Sequence, residues 1–478
     1  MSNTQKALNG GKWMTTSTVI STIFQFLQVA VLARLLEPSA FGIVSVSTMI
    51  ISFFSMFTNL GFNNSIIYKQ ENDKNILSSL YSLNLLLGLS IFIIVYASAP
   101  ILANLYHEKG LISIIKVSSL FFLIVYFGQI QSILMQKELR FQHIAAIDIS
   151  ASIIGLISTL TFAYNGYREY SLIYGQLITQ FWKTLVQVYF GKDLFSPKFR
   201  FKYREVKDHL RFGIYNLGDG IVGFLQSNSD NFLIGSMLGV KALGYYTLAS
   251  QLAVYPITRL NPIVLQVAYP IVAKMKEEAA EMKRAYIKIL DFLTYINVPL
   301  LVGLYITSDT LVPLLYGASW DSTVGLIRIL VIASFFMCLG HPLFTLAYSK
   351  GKPNLLFYLN IFTLIIKVPL VYFFGHIGQS TGVAWAFAIA TFLNVVANFA
   401  IAQYLAGAFI KEFVLKLLKT LLFSAIMLLC VYFYKSIIGS QGVFNLIMQI
   451  LIGGTVFGAL TLKFKLTLSE IKEFKGKL

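Results

Sequence analysis

Several stretches of this chain run for more than 20 residues without a formal charge, among them Trp13 to Ala33, Pro38 to Tyr68, Asn75 to Tyr106 and Ser436 to Leu462. A helix rises about 1.5 Å per residue, so each run can cross a hydrocarbon core of about 30 Å. Backbone in lipid must satisfy its own hydrogen bonds, which leaves helix bundles and closed barrels. Barrel strands need only about ten alternating residues, so runs of this length point to helices. The fold class expected is an all-α polytopic membrane protein.

Hydropathy along the 478 residues predicts fourteen transmembrane helices, centred near residues 23, 50, 88, 122, 152, 178, 225, 254, 296, 334, 364, 393, 424 and 451. Hydrophobic residues make up 56% of the chain and charged ones 12%, against about 25% charged in soluble domains. The connections are short; the longest, Lys192 to Arg211, has 20 residues and cannot hold a folded domain. Lys6 and Lys12 precede the first apolar run as they would in a signal peptide. That run is too long for such a peptide and lacks a small-x-small cleavage site, so it reads as a retained first span. Cys338 and Cys430 both lie inside apolar runs, which argues for neither a disulfide framework nor a metal site.

The formal charge is +17, and its placement gives an orientation. With the N-terminus inside, the alternate connections assigned to the cytoplasm carry 28 Lys and Arg. The outward ones carry five: Arg34, Lys109, Arg168, Lys241 and Lys435. That asymmetry over short loops predicts two cytoplasmic termini. The densest patch, KDLFSPKFRFKYREVKDHLR at 192–211, alternates cations with aromatics. In a soluble protein this would suggest nucleic acid. Here it reads as an interfacial segment against anionic lipid, with no nucleic-acid partner. The tail, with Leu466, Leu468, Ile471 and Phe474 among lysines, is expected to lie on the membrane surface.

A weak internal repeat organises the spans. VLARLLEPSAFG (31–42) and LIGSMLGVKALG (233–244) align at an offset of 202, matching Leu36 with Leu238, Ala40 with Ala242 and Gly42 with Gly244. Lys116 and Arg328 each precede a Phe-Phe pair in the corresponding fourth spans. Six spans per repeat is an even number, so the halves insert in the same orientation, as parallel repeats do. The expected divisions are an N-lobe at 1–191, a basic linker at 192–211, a C-lobe at 212–407, and two added helices with the tail at 408–478.

Residues 32–70, LARLLEPSAFGIVSVSTMIISFFSMFTNLGFNNSIIYKQ, resemble the N-terminal signature of the polysaccharide-exporter branch of the MOP flippase superfamily. Residues 229–270, SDNFLIGSMLGVKALGYYTLASQLAVYPITRLNPIVLQVAYP, resemble the matching second-lobe stretch. The likeness is to Wzx-type exporters of the colanic-acid and teichuronic-acid kind, and runs through the twelfth span. It implies a flippase, not an enzyme, that moves undecaprenyl-pyrophosphate-linked oligosaccharide from the cytoplasmic to the periplasmic leaflet of a bacterial inner membrane. It also implies a cavity opening alternately to each side and partners in polysaccharide polymerisation and export. Sodium or proton coupling is suspected for relatives; no bound cofactor is expected.

A pyrophosphate cannot cross hydrocarbon unaided, so the candidates for holding it are cations within spans. Arg259 stands between Pro256 and Pro262, where a broken helix can line a cavity; the alternative is an arginine paired to a neighbouring helix. Lys116 and Arg328 either clamp one anion as repeat equivalents or reach to the headgroups. Lys367, beside Pro369, is a fourth candidate, while Lys183 is expected to be structural. In the polar seventh span, Asp230, Asp219, Gln226 and Asn228 are candidates for ion coupling or for orienting the helix, and Asp219 could pair with Arg259. Asp148 and Asp291 are expected to be structural. Arg34 and Glu37, three residues apart, form either a local salt bridge or a gate.

Two other classes compete. A membrane glycosyltransferase or polymerase needs an acidic motif on an outward loop; the E-x-D at Glu71 to Asp73 falls on a cytoplasmic one. A cation or drug antiporter of the same superfamily would favour acidic residues over these five intramembrane cations.

Overall fold

Helices follow the apolar runs. The computed structural model describes residues 3–58 and 62–464, with side chains at 10–57, 65–210, 218 and 220–464. Among the described residues no strand occurs. The tail expected on the membrane surface lies outside the described residues.

In the first half, α1 (Asn3–Leu35) and α2 (Pro38–Thr58) meet at the Leu36-Glu37 turn. Pro38 opens α2, where its missing N–H costs nothing. α3 (Phe62–Tyr68) precedes α4 (Lys74–Leu105), capped by Asp73, whose carboxylate accepts from the Asn75 N–H at 2.7 Å. Next come α5 (Leu111–Lys137), α6 (Phe141–Tyr164), α7 (Tyr170–Gly191), α8 (Tyr203–Leu238) and α9 (Val240–Ala253). Gly239, at φ +85°, makes the sharp joint between the last two.

The second half holds α10 (Tyr255–Lys274), α11 (Ala279–Tyr316), α12 (Ser322–Gly340), α13 (Leu343–Ser349), α14 (Asn354–Ala406), α15 (Ile410–Ile438) and α16 (Val443–Phe464). Ten helices among the described residues are long and apolar enough to cross a membrane. α14 is one of the ten, yet its 53 residues would extend about 80 Å as a straight rod. It breaks at Gln379 (φ 51°, ψ −139°). A Cβ on Gly382 would lie 2.0 Å from the Phe374 carbonyl oxygen. Farther from the bend, Lys367 meets Phe387 and Asn394 meets Thr363. These pairs converge on residue 378, so α14 is an antiparallel hairpin of two limbs, matching the spans expected near 364 and 393.

Near residue 254, where the eighth span is expected, the helix is interrupted at Val254 between α9 and α10, of 14 and 20 residues. Pro256 lacks the N–H that would continue the ladder back to Leu252.

By contact the chain divides into two compact units, Met1–Gly244 and Tyr245–Leu478. In the first, α4 packs on α5, α5 on α7, α7 on α6 and α6 on α1. Lys183 of α7 pairs with Asp148 of α6 at 2.6 Å. The basic segment 192–211 is tied down to this unit. Phe195 and Val206 are buried in a cluster with Leu80, Tyr81 and Leu134. Arg200 donates to Asn75 Oδ1 at 2.6 Å and to Glu205 at 2.8 Å; Ser79 donates to the same Glu205. Arg140 holds Asp193 at 2.6 Å. Phe199, Phe201 and Tyr203 stay exposed between cations. In the second unit, Tyr286, Leu290, Phe409 and Phe413 centre a core joining α11, α14 and α15.

Candidate functional site

Lys367 is the most deeply buried of the candidate cations, at 3% exposure. Its Nζ sits 4.8 Å from the centroid of Phe387 on the opposite limb of α14. A ring face offers an ammonium partial compensation for lost water. One turn away, Asn394 donates to Thr363 Oγ1 at 2.6 Å and Asn398 donates to Asn394 Oδ1 at 2.7 Å. The hairpin thus sets a polar ladder and a cation inside an otherwise apolar pair of helices.

Lys116 and Arg328, the repeat-equivalent cations, share a structural setting. Lys116 Nζ is 4.9 Å from the ring of Tyr96 on the preceding long helix, and Arg328 is 5.7 Å from Tyr305 on its own. The tyrosines are themselves repeat equivalents, 209 residues apart against 212 for the cations. The settings differ in one respect. Arg328 Nη2 lies 3.6 Å from Asp309 Oδ2, and Lys435 of α15 donates to Asp309 Oδ1 at 2.6 Å and to the Ile306 carbonyl at 2.8 Å. The position matching Asp309 in the first half is Pro100. α15 is therefore fastened to α11 by the carboxylate that also meets Arg328.

Arg259 is exposed. Ile257 and Asn261, two residues to either side, are 1% exposed. A step of two residues turns about 200° round a helix, so Arg259 occupies the face of α10 opposite its packed one. Within α8, Asp230 is 6% exposed beside buried Ser229. Gln226 and Asn228 are half-buried, and Asn228 donates to the Phe224 carbonyl of its own helix at 3.0 Å. The Asp219 side chain lies outside the described residues. Arg34 and Glu37 are both exposed at the α1–α2 turn.

A second polar cluster was not anticipated. Asn297 of α11 donates to Asn261 Oδ1 on α10 at 2.9 Å and approaches Cys338 Sγ at 3.4 Å; Asn261 is 3.3 Å from His341 Nδ1. Asn261, Asn297 and Cys338 are almost fully buried, and the cluster crosses from α10 to the end of α12. Its contacts join residues 36 to 80 apart, so no local spacing announces it. The Asn394/Asn398 step of four within an apolar run, by contrast, was a visible signal.

Among the described residues no group of three or more His, Cys, Asp or Glu could hold a metal ion.

Comparison with known proteins is consistent with this architecture. Residues 31–325 match the family described as Polysaccharide biosynthesis protein. The lipopolysaccharide biosynthesis protein WzxC of Escherichia coli (strain K12) is 30% identical over 418 residues, 87% of this chain and 85% of that protein. The teichuronic acid biosynthesis protein TuaB of Bacillus subtilis (strain 168) is 29% identical, over 89% and 86% of the two chains. Among solved structures, the lipid II flippase MurJ in an inward closed conformation superimposes with a TM-score of 0.78 at 17% identity, covering 94% of this chain and 98% of that one. An inward-facing MATE multidrug transporter of the MOP superfamily gives 0.65 at 16%, covering 82% and 96%. The fold is thus the one these transporters share, and with a family match over more than half its length the chain belongs to the polysaccharide biosynthesis protein family.

Proposed function

We propose that this protein is a flippase that moves undecaprenyl-pyrophosphate-linked oligosaccharide units from the cytoplasmic to the outer leaflet of a bacterial inner membrane, for surface polysaccharide assembly. It is a transporter and not an enzyme. The observation that carries the reading is Lys367, an ammonium buried to 3% exposure within the span-forming hairpin α14. A cation at that depth is expensive, and an anionic cargo gives it a purpose. The names of WzxC and TuaB, both surface-polysaccharide biosynthesis proteins, and the lipid II flippase fold of MurJ support the same substrate class.

On this reading the chain has fourteen spans, with both termini in the cytoplasm. Lobes 1–191 and 212–407 alternate access, and residues 408–478 are an addition. Arg259, Arg328, Lys116 and Lys367 are the cations that hold the pyrophosphate, Lys116 and Arg328 clamping it together. Asp230, with Asp219, Gln226 and Asn228, couples sodium or proton movement or orients α8, and Arg34 with Glu37 works a gate. Anionic lipid and the polymerisation and export components are its partners.

The test is deletion of the gene followed by leaflet-specific labelling of lipid-linked oligosaccharide. Build-up on the cytoplasmic face, relieved by the wild-type gene, is expected. A second reading, export of organic cations, draws on the likeness to the MATE fold. Unchanged lipid intermediates together with altered sensitivity to such cations would favour it.

A further inference from the structure

Between α10 and the first turns of α11 the second unit carries a groove of about 510 Å³, within the span of about 300–1,000 Å³ usual for ligand sites. Its floor is apolar, formed by Ala268 and Ile271 from α10 and Ile289 and Phe292 from α11. Arg284 and Lys288 stand along one edge. They are one turn apart on α11 and share a side of it.

The charge pattern here is uneven. Lys283 pairs with Glu412 of α15 at 2.6 Å. Arg284 and Lys288 are exposed, and among the described residues neither enters an ion pair. Glu281 also lines the groove, one turn before Arg284 and Ala285, and is exposed. Two uncompensated cations thus border an apolar trough with a single carboxylate at its end. The trough suits hydrocarbon and the cations suit an anion. A molecule offering both is a lipid phosphate. The charge distribution assigns the α10–α11 connection to the cytoplasmic face, the side on which the cargo is loaded.

We propose that the α10–α11 groove receives the polyprenyl carrier, its isoprenoid chain in the trough and its phosphate on Arg284 and Lys288; this rests on the flippase reading. The groove is a loading site at the membrane surface, separate from the buried cation on α14. An ordinary phospholipid has the same two chemical parts, so the test must separate the two.

The experiment uses the full-length protein in phosphatidylcholine nanodiscs, with a photoreactive C55 polyprenyl phosphate as the probe. Wild type is expected to be labelled within 264–292. Arg284→Gln with Lys288→Gln should weaken labelling about tenfold or more, and Ala268→Trp, which fills the trough, should do the same with both cations in place. Excess phosphatidylglycerol should compete poorly. Labelling elsewhere, full labelling of Ala268→Trp, or equal competition by phosphatidylglycerol would overturn the proposal. The flippase reading fails separately: if gene deletion leaves lipid-linked oligosaccharide unaccumulated while the groove still labels, transport is wrong and lipid binding stands. If accumulation occurs and the groove does not label, the groove alone is wrong.

Discussion

Gly42 of α2 and Gly244 of α9 stand in a reciprocal close contact. A Cβ on Gly42 would fall 1.7 Å from the Val240 carbonyl oxygen, and one on Gly244 would fall 1.8 Å from that of Pro38. Each glycine meets the residue four positions before the other, so the aligned hinge segments cross backbone to backbone, with near two-fold symmetry. Backbone carbonyls cannot rotate aside as a side-chain tip can. Gly42→Ala and Gly244→Ala should each destabilise this crossing by about 1–3 kcal/mol or more. Thermal stability of the purified variants and restoration of polysaccharide in a deletion strain measure it. Wild-type behaviour of both would show that the crossing is dispensable.

Lys367→Met keeps the length and apolar stem of a buried side chain while removing its charge. If the ammonium serves only packing over Phe387, expression and transport should both survive. If it holds the anionic cargo, expression and folding should stay normal while transport falls at least tenfold, with partial recovery in Lys367→Arg. Transport of a radiolabelled precursor in membrane vesicles separates the cases.

Asp309 meets both Arg328 and Lys435. Its side chain is 40% exposed, so solvent screening reduces the worth of the pairs. A double-mutant cycle between Asp309→Asn and Lys435→Met should return a coupling of about 1 kcal/mol, falling with added salt. No coupling would mean that α15 is held by apolar packing alone.

His209, near the start of α8, is 2% exposed, with Nδ1 2.5 Å from Ser65 Oγ and Nε2 3.8 Å from Glu71. Burial holds its pKa below the usual 6.5, and Lys69 pushes the same way, against Glu71 and Asp208. The folded state therefore resists a proton that the unfolded chain takes up. Stability is full above about pH 6.5 and declines as pH falls below it, by up to about 1.4 kcal/mol per pH unit. Hydrogen exchange at residues 203–210 should quicken below pH 6.5, and His209→Asn should flatten that dependence. An unchanged pH profile in the variant would assign it to another group.

Much of the helical framework could be read from the sequence, because uncharged length is a local property. The two limbs of α14 were legible for that reason, although their polar hairpin Gly378-Gln379-Ser380 is only a short interruption. The break beside Pro256 was legible as well, because proline interrupts the helix ladder wherever it stands. The candidate cations were visible as charges in apolar runs. Their partners were less so: Tyr96, Tyr305 and Asp309 reach Lys116 and Arg328 only through packing between helices. The Asn261–Asn297–His341 cluster depends wholly on tertiary contact, and the free edge of Arg284 and Lys288 appears only once Lys283 is seen to take Glu412.

Translocation by the purified protein tests the central claim most directly. The protein would be reconstituted into liposomes with a fluorescent polyprenyl-pyrophosphate oligosaccharide, and a membrane-impermeant quencher added. Protein-free liposomes should lose only their outer-leaflet signal. Wild type should let the quencher reach nearly all of it over minutes, with Lys367→Met near the protein-free level. A quenched fraction unchanged by the wild-type protein, with and without a sodium or proton gradient, would contradict the account.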